Sequence, residues 1–308
     1  MNAQKILVIG SSNMDMVVKT NHIPAPGETV LSDSFFMNPG GKGANQAVAA
    51  ARLGGSVTFV SKLGKDLFGS QFRELFDAEG MDTRHLITDE ALPSGVALIT
   101  VDKEGENSIV VASGANANMT VDDINHALHA LDGAAIILMQ LEIPVNVVEH
   151  VASYAASKNI KVILNPAPAA PLAKELLRSI DILTPNETEA ALIAGIPVNN
   201  VEDARKAAML IREKGVNTVI ITLGAKGALV CESNHCTLVE AKKVRSVDTT
   251  AAGDVFNGAL AVALSEGKDL ATATRFACDA ASVSVTRPGA QSSIPRLREL
   301  NEPGKENN

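Results

Sequence analysis

Towards the C-terminal end, Val247-Asp-Thr-Thr-Ala-Ala-Gly-Asp254 runs small residues straight into the helical pattern Val-Phe-Asn-Gly-Ala-Leu260. Free backbone N–H groups at such a helix start hold an anion without needing a lysine. Asp254 falls in the first turn, and two readings follow. It caps the helix, or it is a general base that takes a hydroxyl proton while a phosphoryl group sits at Ala252 and Gly253. Asp248 and Thr249 already stand where a cap is expected, which leaves Asp254 available as the base.

Three further constellations share this polar character. Asn38-Pro-Gly-Gly-Lys-Gly-Ala-Asn45 puts glycines where backbone can approach a ligand closely. Lys42 and Asn45 are spaced to converge on one polar ligand, although a plain helix-entry turn has the same pattern. Asn13 with Asp15, and Gln140 with Glu142, are pairs at strand ends, where period two gives each pair a common face. Such ends border the ligand crevice of open α/β sheets, and acceptor-rich pairs suit a polyhydroxylated ligand. Thr184-Pro-Asn-Glu-Thr-Glu189 opens a helix. Asn186 and Glu189 there form either a capping box or a set that organises water, Mg²⁺ and phosphate.

These residues need a frame. Short apolar runs at Ile6–Ile9, Val57–Val60, Ala135–Leu141, Val162–Leu164, Ile182–Thr184 and Val219–Leu223 alternate with helical patterns. That alternation predicts an α/β fold with a mostly parallel central sheet and helices on both faces. Ala44–Leu53 is a helix stopped by Gly54, and Phe68, Phe72, Leu75 and Phe76 form a core stripe. Glu28–Asn38 and Ser94–Val111 read as strands without helices between them, hence a small inserted sheet placed as a lid over the site.

Composition narrows the function. The chain has 308 residues, 27 Lys+Arg against 35 Asp+Glu, and a net charge of −8. With one Tyr, eight Phe and no Trp, it lacks the rings of a base-stacking platform and the basic excess that phosphate backbones require. Nucleic acid is not an expected partner. A membrane span is not expected either, and Ile6–Ile9 is too short for a secretory signal. Gly41-Lys42 is followed by Gly43 rather than a hydroxyl residue, so there is no Walker A loop. Cys231, Cys236 and Cys278 do not suggest a disulfide framework and fit a reducing cytoplasm. Cys231 and Cys236 flank His235, a weak zinc pattern set against two half-buried strand thiols.

Together the motifs resemble a family. Gly40-Gly-Lys-Gly-Ala-Asn45 resembles the first signature of the ribokinase-like (PfkB) carbohydrate kinases, and Asp248-Thr-Thr-Ala-Ala-Gly-Asp-Val-Phe-Asn-Gly-Ala259 resembles the second. Asn186-x-x-Glu189 is similar to a third motif, and the likeness runs from about Val8 to Pro295 in family order. It implies a three-layer α/β/α sandwich over residues 1–308, with lid strands inserted at about 14–39 and 93–113. Asn13-x-Asp15, Met139-Gln-Leu-Glu142, Asn165-Pro-Ala-Pro168 and Val285-Thr-Arg-Pro-Gly-Ala-Gln291 are similar to members that phosphorylate the 5-hydroxyl of D-ribose with ATP.

By motif position, the resemblance implies that Asn13, Asp15, Gly41, Lys42, Asn45 and Glu142 hold the sugar. Asp254 is then the base, and Ala252 with Gly253 is the anion hole. Asn186, Thr222, Leu223, Gly224, Ala225, Lys226 and Gly227 line the nucleotide, with Cys278 at a position where relatives carry His or Asn. Asp248, Thr250, Ser284, Arg287, Gly289 and Ser293 fall where the family binds K⁺, and Glu189 falls near a water-bound Mg²⁺. The lid sheet implies a homodimer. Asn13 stands where members preferring 2-deoxyribose tend to carry Met, so ribose is expected. Kinases for 2-deoxyribose, fructose or adenosine are the rivals, and a non-catalytic sugar sensor is the rival from another class.

Overall fold

The computed structural model describes residues 4–32, 34–127, 133–233 and 235–301. The chain first lays down β1 (Lys5–Ile9), β2 (Asn13–Lys19), β3 (Ser34–Gly40), α1 (Lys42–Arg52), β4 (Ser56–Gly64), α2 (Leu67–Ala78) and β5 (Leu86–Asp89). It continues with β6 (Gly95–Val101), β7 (Asn107–Ala112), α3 (Val121–Ala127), β8 (Ala134–Met139), α4 (Val145–Ser157), β9 (Lys161–Leu164) and α5 (Lys174–Arg178). Then come β10 (Ile182–Leu183), α6 (Glu187–Ala194), α7 (Val201–Glu213), β11 (Thr218–Thr222), β12 (Ala228–Glu232) and β13 (His235–Val239). Helices α8 (Ala252–Ser265), α9 (Leu270–Ser284) and α10 (Leu297–Asn301) close it.

Among the described residues the strands form a nine-stranded sheet, β13-β12-β11-β10-β9-β8-β1-β4-β5, and a four-stranded sheet, β3-β2-β6-β7. From β11 to β5 the large sheet is parallel, and β12 and β13 add on antiparallel. Strand β1 shows why the runs are continuously apolar. Ile6 and Val8 pack to one side with α1, α2, α8 and α9. Leu7 and Ile9 pack to the other with α4, α5 and α7. A strand covered on both faces has no polar positions to spare. The phenylalanine stripe is core as expected: Phe72 and Phe76 are buried, and the Phe76 ring meets Phe59 edge-on at 5.1 Å.

The small sheet starts where β1 ends. Strand β2 pairs antiparallel with β3 and parallel with β6, and β6 pairs antiparallel with β7. The strand expected over 28–38 begins only at Ser34. The stretch from Glu28 to Ser32 follows a turn in which Glu28 N–H donates to Ala25 O at 3.0 Å, and it runs outside the sheet. Asn13, Asp15 and Val17 share one face of β2, opposite Gly40, Asn38 and Phe36.

One cysteine expectation is overturned. The tight β12–β13 hairpin sets Cys231 directly opposite Cys236, with Cα atoms 4.2 Å apart, and the two form a disulfide. A spacing of five across a two-residue turn makes the cysteines cross-strand partners, not separate thiols. His235 Nε2 lies 3.0 Å from Thr237 Oγ1. Among the described residues no helix is long and apolar enough to cross a membrane.

Candidate active site

The start of α8 is built to stay open. Ala251 precedes it in the left-handed region (φ 60°), and no described side chain caps the helix. Ala252 N–H turns back to Thr249 O at 3.2 Å, while the first-turn amides of Gly253 and Asp254 face outward without intrahelical acceptors. A Cβ on Gly253 would meet nothing within 4 Å among the described residues, so the space before this turn is clear. Asp248 does not cap the helix, contrary to expectation. Its Oδ1 accepts from Thr250 N–H at 2.9 Å and Thr250 Oγ–H at 2.6 Å, and its Oδ2 accepts from Gly289 N–H at 2.8 Å.

Asp254 does not cap it either. Its carboxylate turns across to α1, where Asn45 Nδ2 donates to Oδ2 at 3.0 Å and Gln46 Nε2 donates to Oδ1 at 3.0 Å. The group is buried. Burial raises its pKa, against the pull of Lys42, Gln46 and Asn45. A buried carboxylate held by two amides beside unsatisfied N–H groups has the surroundings of a proton acceptor at an anion site.

The opposite wall comes from β2, the α1 start and the turn after β8. Gly41 (φ 88°) opens α1, and a Cβ there would sit 2.6 Å from Asn13 N, so only glycine fits. Glu142 accepts from Ser11 Oγ at 2.6 Å, Lys42 N at 3.0 Å and Asn13 Nδ2 at 3.4 Å. Asn13 Oδ1 also accepts from Asn116 Nδ2 at 2.8 Å. Burial, then Glu142 and Asp254, push the Asp15 carboxyl up to about 7. Burial opposes the charge on Lys42, yet Asp254, Glu142, Glu189 and Asp15 together hold it above its ordinary range. Asn45 Oδ1 is buried with no partner among the described residues, an acceptor awaiting a hydroxyl.

Gln140 departs from its expected role. Strand β8 ends at Met139, so period two no longer applies, and Gln140 and Glu142 do not share a face. Gln140 points into the floor, donating to Gln46 Oε1 at 2.6 Å, while Glu142 faces Ser11, Asn13 and the start of α1. That floor also holds Asn165, Thr184 and Asn257. All three lie inside motifs quoted from the sequence, but spacing gives none of them an individual role, because their bonds cross to distant segments.

On the far side, both readings of Asn186 and Glu189 meet in one arrangement. A capping box is present, with Glu189 N–H to Asn186 Oδ1 at 2.8 Å and Asn186 N–H to Glu189 Oε2 at 2.9 Å. Glu189 is nevertheless buried, and its carboxyl is raised by burial and coupled to Lys42 and Asp254. Thr222 bridges to Asn186, and Leu223–Gly227 turns through Gly224 (φ 54°) and Gly227 (φ 102°). Lys226 is exposed. Cys278 lies in the core of α9, its thiol 3.9 Å from Val239 O and pushed up to about 11 by burial. The Asp248–Gly289 bond joins 248–250 to the segment of Ser284, Arg287, Gly289 and Ser293. Among the described residues no group of three or more His, Cys, Asp or Glu is placed to hold a metal.

An inserted sheet over a mostly parallel one, and a carboxylate at an open helix start, define a class of sugar-phosphorylating enzyme. Residues 3–297 match the pfkB family carbohydrate kinases, and the chain belongs to that family. Among its relatives, the ribokinase of Haemophilus influenzae is 46% identical over 294 residues, covering 96% of each chain. The deoxyribokinase of Salmonella typhi is 38% identical over 298 residues, covering 96% of this chain and 97% of its own. The structure of Arabidopsis thaliana ribokinase complexed with ribose and ATP superposes with a TM-score of 0.90 at 35% identity, covering 97% of this chain and 98% of that one.

Proposed function

We propose that this chain transfers the γ-phosphoryl group of ATP to O5 of D-ribose, giving D-ribose 5-phosphate and ADP. The observation that carries the reading is the buried Asp254 carboxylate beside the outward amides of Gly253 and Asp254. The likeness to ribokinases along the whole chain supports the substrate pair. The sugar lies between the small sheet and the sheet ends, against Asn13, Asp15, Gly41, Lys42, Asn45 and Glu142. The nucleotide lies along Asn186 and Thr222–Gly227, with Cys278 packed beneath.

Asp254 takes the O5 proton as O5 bonds to the γ-phosphorus. The bond from phosphorus to the β,γ-bridging oxygen breaks, and ADP leaves with that electron pair. Charge developing on the transferred group meets the amides of Gly253 and Asp254, which need no rearrangement at the moment of transfer.

Oxygen donors near the nucleotide suit two cations. Glu189, buried and acidic, suits a water-held Mg²⁺, which when bound to the phosphates would neutralise their charge. Asp248, Thr250, Ser284, Arg287, Gly289 and Ser293 would hold K⁺, mainly through backbone carbonyls. The fit rests on Asp248, which already ties those two segments together next to the anion hole.

The chain acts as one kinase domain with lid strands at 14–39 and 93–113, in the cytoplasm where its cosubstrate is found. The face of the small sheet that carries Asp15 continues into the exposed side chains of Phe36, Ile109 and Val111. A second copy covering that row gives the homodimer.

A second reading, 2-deoxyribose as substrate, is favoured by the Salmonella typhi relative. Asn13 argues for ribose: its Nδ2 makes only a long 3.4 Å bond, leaving a donor for a 2-hydroxyl. Measuring kcat/KM for ribose, 2-deoxyribose, fructose and adenosine, with and without K⁺, decides among them. Ribose is expected to lead, and a higher value for another sugar overturns the reading. Asp254→Asn is expected to fold normally and lose roughly 10²–10⁴-fold in kcat. Near-wild-type turnover would remove Asp254 from the role of base.

A further inference from the structure

We infer that Gln46, Asn165, Thr184 and Asn257 are positioning residues, a buried ring that aims the Asp254 carboxylate and the Gly253–Asp254 peptide as one unit. The inference rests on Asp254 being the base. The bonds run in one direction. Gln46 Nε2 donates both to Asp254 Oδ1 at 3.0 Å and to Asn165 Oδ1 at 3.1 Å. Asn165 Nδ2 donates to Thr184 O at 3.1 Å, and Thr184 Oγ–H donates to Asn257 Oδ1 at 2.6 Å. Asn257 Nδ2 donates to Gly253 O at 2.8 Å. The Gly253 carbonyl and the Asp254 N–H belong to one planar peptide, so holding that oxygen also fixes the direction of the N–H. The ring thus closes from the base, through three side-chain amides and the backbone carbonyl and hydroxyl of Thr184, onto the anion hole.

Two features separate this from ordinary core packing. First, all four side chains are buried, where an unmade hydrogen bond is expensive, so burying them needs a return. Second, no amide in the chain can flip without breaking a bond. Gln140 donates to Gln46 Oε1 at 2.6 Å, which turns the Gln46 NH₂ towards Asp254. Asn165 and Asn257 each accept with oxygen from the preceding member and donate with nitrogen to the next. The four members come from α1, the turns after β9 and β10, and α8, so the ring also couples separate parts of the fold.

The consequence for the base is electrostatic. A donor to the carboxylate favours its charged form, and the Gln46 bond opposes burial at Asp254. The charged groups facing Asp254 are Lys42 on α1, Glu142 after β8, Asp15 on β2 and Glu189 on α6. Gln46→Met leaves all of these in place and removes only the amide.

The test is the pH dependence of kcat for ribose with saturating MgATP, measured on the full chain for wild type, Gln46→Met, Thr184→Val and Asp254→Asn. For Gln46→Met the acid limb is expected to move up by about one pH unit. Its plateau kcat should fall roughly tenfold, with KM for ribose unchanged within about twofold. A residue that merely packs would lower the melting temperature and leave the limb where it was, and that result overturns the ring. Thr184→Val changes little volume and breaks the ring away from the carboxylate. It is expected to lower kcat severalfold without shifting the limb or KM, and wild-type kcat overturns the inference even if Gln46→Met does not fold. Asp254→Asn separates the two levels. If it still turns over, the base assignment fails. If it is inactive while Gln46→Met shows a wild-type profile, the ring alone fails.

Discussion

Helices α8 and α9 pack along one another but begin in opposite ways. Asp269 precedes α9, with Thr272 N–H donating to its carboxylate at 2.8 Å and Thr272 Oγ adding a second bond. Ala251 precedes α8 in a left-handed turn with no described cap. Local energetics favour the first arrangement, since a cap contributes about 1 kcal/mol and a non-glycine residue at positive φ costs about as much. The start of α9 serves the fold. The start of α8 forgoes that stability, with the nearby Asp254 carboxylate turned sideways to α1, as expected if its amides serve a ligand under the proposed function.

The contrast can be broken most directly at Gly253. Its missing side chain would project into open space, so Gly253→Val should keep the melting temperature. It should still lose roughly 10²-fold in kcat by keeping the phosphoryl group off the amides. A fall in stability with full activity would mean that the turn serves packing instead.

The open start also gathers acids, and Asp15 carries part of the cost. Its folded pKa of about 7 lies above the ordinary 3.8, so the folded state binds more protons between those values. Stability of the ligand-free protein should therefore be greatest at the low end and fall as pH rises through about 7. Urea unfolding between pH 4 and 8 should show that slope in wild type, and Asp15→Asn should flatten it. An equal slope in both would place the cost elsewhere.

The smallest effect is expected at the closed start. Asp269→Ala should lower stability by about 1 kcal/mol and leave kcat per folded molecule unchanged. A loss of activity there would mean that α9 transmits its position to α8.

The legible parts of this molecule were those with a period or a motif. Continuous apolar strands, the phenylalanine stripe and the alternation of elements gave the large sheet and its two cores. The glycine turn at Gly41, with Lys42 and Asn45, led to the start of α1, where Asn45 meets Asp254. What stayed hidden depended on where elements stop. Gln140 was paired with Glu142 because the strand seemed to run on, whereas it ends at Met139. Cys231 and Cys236 looked like separate thiols because a two-residue turn between them has no strong signal at Ser233. Asn165, Thr184 and Asn257 stand inside legible motifs, but their bonds to one another are hidden, because the partners lie far apart in sequence and are joined only by folding.

Gly258 has a mechanical consequence. A Cβ at that position would lie 2.7 Å from Ala49 Cβ and 2.8 Å from Gln46 O, so α8 and α1 touch almost backbone to backbone. The helix that carries Asp254 and the helix that carries Lys42 and Asn45 are therefore in direct contact at this glycine. The four-stranded sheet is joined to the body at connections around Gly10–Ser12, Gly41, Ser94 and Ser113. A side chain at Gly258 would wedge apart the contact on which the Asp254 bonds to Asn45 and Gln46 depend.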